Sequence, residues 1–158
     1  MTFILSVGHG SRDPGAVNHR LSLNEHCEAY KITWHLRSAL EQMGHAVYFI
    51  SCFQSLAAKI ATVNQRASES TITAAVEIHF NAAEHADAHG TEVLHYNGES
   101  IAASISARLS NAIGTADRGA KKRTDLGWLT HTIPSALIVE VLFIHNDAEA
   151  QKIYEHDF

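Results

Sequence analysis

A nearly unbroken apolar run over residues 136–144 limits the possible folds of this chain more than any other part of the sequence. Pro134 and Asn146 bound the run, which has the length of a strand and falls well short of a membrane span. It therefore predicts a β-strand that is buried inside the protein. A strand of this kind requires a sheet that is covered on both faces.

The rest of the chain alternates between strand-like and helix-like segments. Further strands are predicted over residues 3–7, 46–50, 71–80 and 91–96. Apolar residues at helical spacing predict helices within residues 22–43, 56–67, 101–109 and 147–154, and the basic stretch 118–123 predicts a loop. We expect a single α/β domain over residues 1–158, with a largely parallel sheet and helices on both faces.

Charge and composition narrow the possible partners. The 158 residues carry a formal net charge of -5 without a long basic or acidic run, so we expect neither nucleic acid nor a membrane surface as a partner. The two cysteines, Cys27 and Cys52, do not form a disulfide framework. No signal peptide is recognisable, which predicts a protein that is cytoplasmic on synthesis. We expect a monomer that acts on a neutral or small polar substrate.

Three possible metal ligands are predicted to meet at one edge of the sheet. His9 directly follows the first strand, His79 ends the third, and Glu25 lies in the first turn of the first helix. In an α/β fold the carboxyl ends of the strands and the starts of the following helices share one edge, where ligands bind. Two histidines and one carboxylate are typical of a catalytic zinc site that holds one ion.

Each of these residues also has a simpler interpretation. Glu25 can be the third-position carboxylate of a capping box that begins at Ser22. His9, between two glycines, can be a hydrogen-bonded loop residue, and His79 can be a hydrogen-bonded histidine at a strand end. Glu77 shares a strand face with His79 and is therefore a rival carboxylate ligand.

Glu140 is a carboxylate inside the apolar run. Without a partner, a buried carboxylate costs several kcal/mol or stays protonated. One interpretation is a structural ion pair with Arg118 or Lys121. The other is a general base with a raised pKa beside a metal ion, which is the group that hydrolysis requires.

The motifs of the chain, taken together, resemble those of the zinc-dependent N-acetylmuramoyl-L-alanine amidases. They occur in the family's order and span almost the whole chain. The matching segments are Gly8-His9-Gly10 with Asp13-Pro14-Gly15-Ala16, Asn24-Glu25, Glu77-Ile78-His79-Phe80-Asn81-Ala82, Gly90-Thr91-Glu92, and Pro134-Ser135-Ala136-Leu137-Ile138-Val139-Glu140 with Phe143-Ile144-His145-Asn146.

The resemblance implies a mixed, mainly parallel sheet, one zinc ion, and hydrolysis of the amide that joins N-acetylmuramic acid to L-alanine in peptidoglycan. His9, Glu25 and His79 match the zinc ligands, and Glu140 matches the catalytic glutamate. Glu77 has no ligand role in that pattern. Substrate-binding candidates are Asn81 and Arg118.

The sequence departs from the family pattern at Ser6, where many members have aspartate. No cell-wall-binding module is recognisable, and the form of the 77–81 segment is similar to that of phage or prophage lytic enzymes, which act on the wall after release from the cytoplasm. Two rival functions remain at this point. One is a zinc peptidase that cuts within the stem peptide, and the other is a non-catalytic peptidoglycan-binding domain.

Overall fold

Strands and helices alternate along the chain in the computed structural model, which describes residues 1–10 and 12–155. The strands are β1 (Thr2–Val7), β2 (Val17–Asn18), β3 (Leu23–Asn24), β4 (Ala46–Ile50), β5 (Ala74–Asn81), β6 (Thr91–His95), β7 (Asp117–Lys122) and β8 (Ala136–Phe143). The helices are α1 (Glu25–Gln42), α2 (Leu56–Glu69), α3 (Glu99–Ile113), α4 (Gly127–Thr130) and α5 (Asp147–Glu155).

Six of the strands form one mixed, mainly parallel sheet in the order β4-β1-β5-β8-β6-β7. Neighbouring strands are parallel except β6 and β8, which are antiparallel. The short strands β2 and β3 pair in a separate hairpin just before α1. The predicted α/β fold class is thereby confirmed.

Helices cover both faces of the sheet, as the apolar run of β8 requires. On one face, Ala29 of α1, Ala102 of α3 and Ile153 of α5 pack in a common core with alternate strand residues. On the other face, Val63 of α2 and Trp128 of α4 belong to a second core. Because side chains alternate along a strand, each central strand contributes to both cores.

Two local predictions were wrong. The basic stretch of residues 118–123 does not form a loop. Most of it lies in the edge strand β7, which pairs in parallel with β6. The first helix is not capped by Ser22, since the side chain of Asn24 accepts a hydrogen bond from the Cys27 amide at the N-cap. Ser22 lies earlier, in the hairpin turn, with a φ of 55°.

The strand order brings β1, β5 and β8 side by side with their carboxyl ends at one edge. Strand β6 runs the other way and therefore begins at this same edge. Strand β3 leads directly into Glu25, the first residue of α1, at this edge as well. Among the described residues, no helix has the length and apolar character needed to cross a lipid bilayer.

Candidate active site

The structure brings together the three candidate metal ligands that were predicted from sequence. One ligand atom from each of His9, Glu25 and His79 lies within 4.8 Å of the others. The Glu25 carboxylate is central, with Oε2 3.1 Å from His9 Nε2 and Oε1 2.9 Å from His79 Nδ1. The three side chains come from the loop after β1, the start of α1 and the carboxyl end of β5.

Glu25 is held rigidly by the backbone around it. Its Oε2 accepts a hydrogen bond from the Ala16 amide and its Oε1 accepts one from the Phe80 amide. The side chain is buried, with 3% of the residue exposed. The alternative that Glu25 serves only to cap its own helix is therefore wrong, because its carboxylate points away to three other segments.

Glycines allow the two histidine rings to come close to the backbone. A Cβ at Gly8 would lie 2.5 Å from Cε1 of His79. A Cβ at Gly15 would lie 2.6 Å from Cδ2 of His9. His9 itself has a φ of 57°, a left-handed backbone conformation that residues other than glycine rarely adopt. Strain of this kind concentrates at functional sites.

Each histidine has a second carboxylate on its far ring nitrogen. Nδ1 of His9 is 2.8 Å from Asp13, and Nε2 of His79 is 3.2 Å from Glu77. Glu77, the rival ligand of the sequence analysis, is thus placed behind His79 and not beside Glu25. A metal-ligating histidine usually donates its other ring N–H to a carboxylate or a carbonyl in this way.

The charges of the cluster are those of a cation site. Burial alone would raise the pKa of Glu25, but hydrogen bonds with His79 and His9 outweigh it and hold this pKa well below its usual range. Burial would likewise lower the pKa of His79, but Glu25 and Glu77 raise it to about 10. Without a metal, the cluster therefore attracts protons to the positions that a metal cation can occupy.

Glu140 lies beside this cluster, in register with His79 on the neighbouring strand. Its Oε2 atom is buried and has no hydrogen-bond partner among the described residues. Burial raises the pKa of Glu140 to about 7, and the positive charge of His79 offsets part of that effect. The alternative of an ion pair with Arg118 or Lys121 is wrong, because Glu140 forms no ion pair with any described residue. The Arg118 guanidinium binds Glu92 instead.

The two substrate-binding candidates meet through Glu92, a residue of the Gly90-Thr91-Glu92 motif to which the sequence had assigned no role. Glu92 accepts a hydrogen bond from Asn81 Nδ2 at 2.9 Å and one from Arg118 Nε at 2.7 Å. Glu92 is also opposite Glu140 in the antiparallel register of β6 and β8. The sequence signal for Glu92 was its place in that motif. Its contacts could not be predicted, because its partners lie on two other strands, β5 and β7.

The donor set fits a zinc ion. Around a tetrahedral zinc ion with nitrogen and oxygen ligands at about 2.0–2.2 Å, neighbouring ligand atoms are roughly 3.4 Å apart. This separation is within the 4.8 Å that limits the distances among the ligand atoms of His9, Glu25 and His79. The buried Oε2 of Glu140 gives independent support, since such an atom requires a partner and none of the described residues supplies one.

Comparison with known proteins decides the family. The model of the N-acetylmuramoyl-L-alanine amidase family matches residues 4–158. The chain belongs to the N-acetylmuramoyl-L-alanine amidase family. It is accordingly a hydrolase of this class, and the family resemblance of its motifs is confirmed. A search of curated protein sequences found no match.

Solved structures of similar fold include three amidase or endolysin domains. The CwlD amidase of Clostridioides difficile, solved in complex with the GerS lipoprotein, is 24% identical with a TM-score of 0.83, covering 99% of this chain and 89% of that one. The catalytic domain of CwlV, an N-acetylmuramoyl-L-alanine amidase from Bacillus (Paenibacillus) polymyxa, is 21% identical with a TM-score of 0.83, covering 99% and 88%. The catalytic domain of the CD27L endolysin, which targets Clostridia difficile, is 23% identical with a TM-score of 0.78, covering 98% and 88%.

The raised pKa of Glu140 predicts how the stability of the metal-free amidase depends on pH. Its pKa is about 7 in the folded protein, against a reference value of 4.5. Between these values the folded state binds more protons, so the free energy of unfolding decreases as the pH rises. Glu140→Gln should therefore stabilise the metal-free protein by up to about 3 kcal/mol at pH 8 and by little at pH 4.

Urea denaturation of both proteins in chelator-containing buffer at the two pH values measures this difference. Glu149→Gln is the control for the loss of a buried carboxylate outside the cluster, and it should not show the same gain at pH 8. Equal stability of wild type and Glu140→Gln at pH 8 would contradict the prediction.

Proposed function

We propose that this amidase is zinc-dependent and cleaves the amide between the lactyl group of N-acetylmuramic acid and L-alanine. The observation that carries the proposal is the placement of Glu140. One of its carboxylate oxygens is buried and has no hydrogen-bond partner among the described residues. Glu140 is paired with His79 on the neighbouring strand, at the edge of the sheet where the three candidate metal ligands meet. A metal site with an adjacent carboxylate of raised pKa is what amide hydrolysis requires.

In the proposed mechanism, His9, Glu25 and His79 would hold the zinc ion. When bound, the ion acts as a Lewis acid that polarises the scissile carbonyl and lowers the pKa of water. Glu140 Oε2 accepts a proton from the attacking water as the new C–O bond forms. Glu140 then donates this proton to the L-alanine nitrogen as the C–N bond breaks, and so returns to its ionised state.

Asn81 and Arg118 are the proposed substrate contacts. Glu92 holds both side chains at the edge of the sheet where Glu140 lies. Arg118 also stacks on Phe143, 4.9 Å from its ring centroid, which fixes the guanidinium while leaving part of it exposed. The remaining guanidinium N–H groups can bind a carboxylate or a carbonyl of the stem peptide.

Mass spectrometry of digested peptidoglycan tests the proposed reaction. An amidase releases stem peptides with a free L-alanine amine and leaves the glycan strands intact. A zinc peptidase would instead leave L-alanine attached to muramic acid, and a non-catalytic binding domain would release nothing. The Glu140→Gln protein, loaded with zinc, is the matched control for product that arises from contaminating enzymes.

We further propose that the reaction serves bacterial lysis. The similarity of the 77–81 segment to phage lytic enzymes and the fold shared with the CD27L endolysin support this setting. The turbidity of cells with permeabilised outer layers should fall when the purified amidase is added. Hydrolysis of isolated peptidoglycan without any loss of turbidity would contradict a lytic role.

A further inference from the structure

A buried network of polar side chains lies behind His79. Glu77 Oε1 accepts hydrogen bonds from Lys59 Nζ at 2.7 Å and from Ser6 Oγ at 2.9 Å, while Glu77 Oε2 is 3.2 Å from His79 Nε2. Lys59 also donates to the Val7 carbonyl at 2.7 Å. Both charged residues are 5% exposed, and Ser6 is fully buried.

The fold alone gives little reason for this network. Removing two opposite charges from water costs several kcal/mol per ion, and apolar residues of similar volume often give equal or greater stability. Lys59 reaches the network from α2, and Ser6 and Glu77 reach it from adjacent strands β1 and β5. Beyond the Val7 carbonyl, the hydrogen bonds of the network lead to the ring of His79, which points to a role at the metal site.

We propose that Glu77 is a positioning residue, which fixes His79 as its Nε2–H tautomer and orients the ring so that Nδ1 is the metal ligand. The inference rests on the proposed function, because it requires that His79 binds the metal. Lys59 and Ser6 in turn hold Glu77 in place behind the ring.

The geometry of His79 supports this assignment. Its Nδ1 faces the cluster, 2.9 Å from Glu25 Oε1, while its Nε2 faces Glu77 on the opposite side of the ring. A neutral imidazole carries one proton, and a carboxylate acceptor at Nε2 places that proton there. The lone pair of Nδ1 then remains available for a metal ion.

The partners of Glu77 also explain why it is not a ligand itself. Oε1 already accepts from an ammonium group and a hydroxyl, and Oε2 is directed at His79. The Lys59 charge neutralises that of Glu77 within the same network. Glu77 can therefore support His79 without adding a fourth protein ligand, which would close a site that needs an open position for catalysis.

Zinc affinity of a double variant tests the proposal. Glu77→Leu together with Lys59→Met removes the carboxylate without leaving a buried lysine unpaired, so that circular dichroism and thermal melting should report a folded protein. Competition with a chromogenic chelator should show zinc binding about 10–100-fold weaker than that of the wild type. Glu77→Gln together with Lys59→Met keeps a neutral acceptor for Nε2–H and should recover part of the affinity.

Glu149→Gln is the matched control. Glu149 is also buried, and its Oε1 lies 3.5 Å from Nζ of Lys152. It contacts none of the three candidate metal ligands. Its replacement should leave zinc affinity unchanged. Ring ¹⁵N chemical shifts of His79 in the zinc-loaded wild type should show the proton on Nε2, and this measurement does not depend on whether any variant folds.

The outcomes separate this inference from the function on which it rests. Two results would overturn the positioning role and leave the proposed function intact. One is wild-type zinc affinity in the folded double variant that combines Glu77→Leu with Lys59→Met, and the other is a zinc-loaded wild type whose His79 proton lies on Nδ1. A wild-type protein that binds no zinc would overturn both the positioning role and the proposed function.

Discussion

Replacing Glu140 with glutamine should lower the rate of peptidoglycan hydrolysis by about 10²–10⁴-fold, the range that a positioned general base contributes. Glutamine keeps the size of the side chain but cannot accept and return the proton. Because Glu140 is not one of the three candidate metal ligands, the zinc content of the variant should stay at the wild-type level. Release of stem peptides, measured by mass spectrometry over time, gives the rate.

Two controls make this experiment specific. Metal analysis of the purified variant separates a lost proton acceptor from a lost metal. Glu149→Gln removes a buried carboxylate elsewhere and should retain activity. A Glu140→Gln protein that hydrolyses peptidoglycan at the wild-type rate would exclude Glu140 as the general base.

Removal of the metal is expected to have the other large effect. A strong chelator should abolish hydrolysis, and added zinc should restore it. If zinc binds only the folded state, zinc at 1,000 times its Kd stabilises the protein by about 4 kcal/mol. For a chain of this length, that corresponds to a Tm about 10 °C higher with zinc than with chelator.

A pair of histidine variants tests whether the effect arises at the proposed site. In His79→Ala, activity should be lost and the Tm should no longer respond to the chelator. In His35→Ala, which alters an exposed histidine on α1, both the activity and the response should remain. A chelator response that persists in His79→Ala would place the metal elsewhere.

The sequence predicts the sheet edge that carries the site because that prediction depends on short-range signals. Apolar runs locate β1, β5 and β8, and the rule that parallel strands share a carboxyl edge brings His9 and His79 together without knowledge of the strand order. The same rule placed Glu25 there, although its supposed helix cap at Ser22 was wrong. This error did not change the predicted position of Glu25, because Asn24, two residues after Ser22, caps the same helix.

The contacts around the site were not predictable, because they depend on which distant residues become neighbours. Nothing in the sequence links Lys59 to Glu77 or Glu92 to Arg118, and each pair joins two separate elements. The basic stretch 118–123 contains Gly119 and charged residues, which favour a loop, yet pairing with β6 makes most of it a strand. Tertiary pairing outweighed local propensity there.

The reversed direction of β6 has a consequence for how the protein can change. Segment 82–90 leaves the sheet at the end of β5 and returns to it at the start of β6, at the same edge. Asn81 is held by Glu92 at one end of the segment, and Gly90 is held by Glu149 at the other. Doubling the length of such a loop costs only about 0.6 kcal/mol in closure entropy. Insertions here would extend the edge of the sheet that carries Glu140 without displacing a strand, so evolution or protein engineering can change the surface beside the candidate active site while the three candidate metal ligands stay in place.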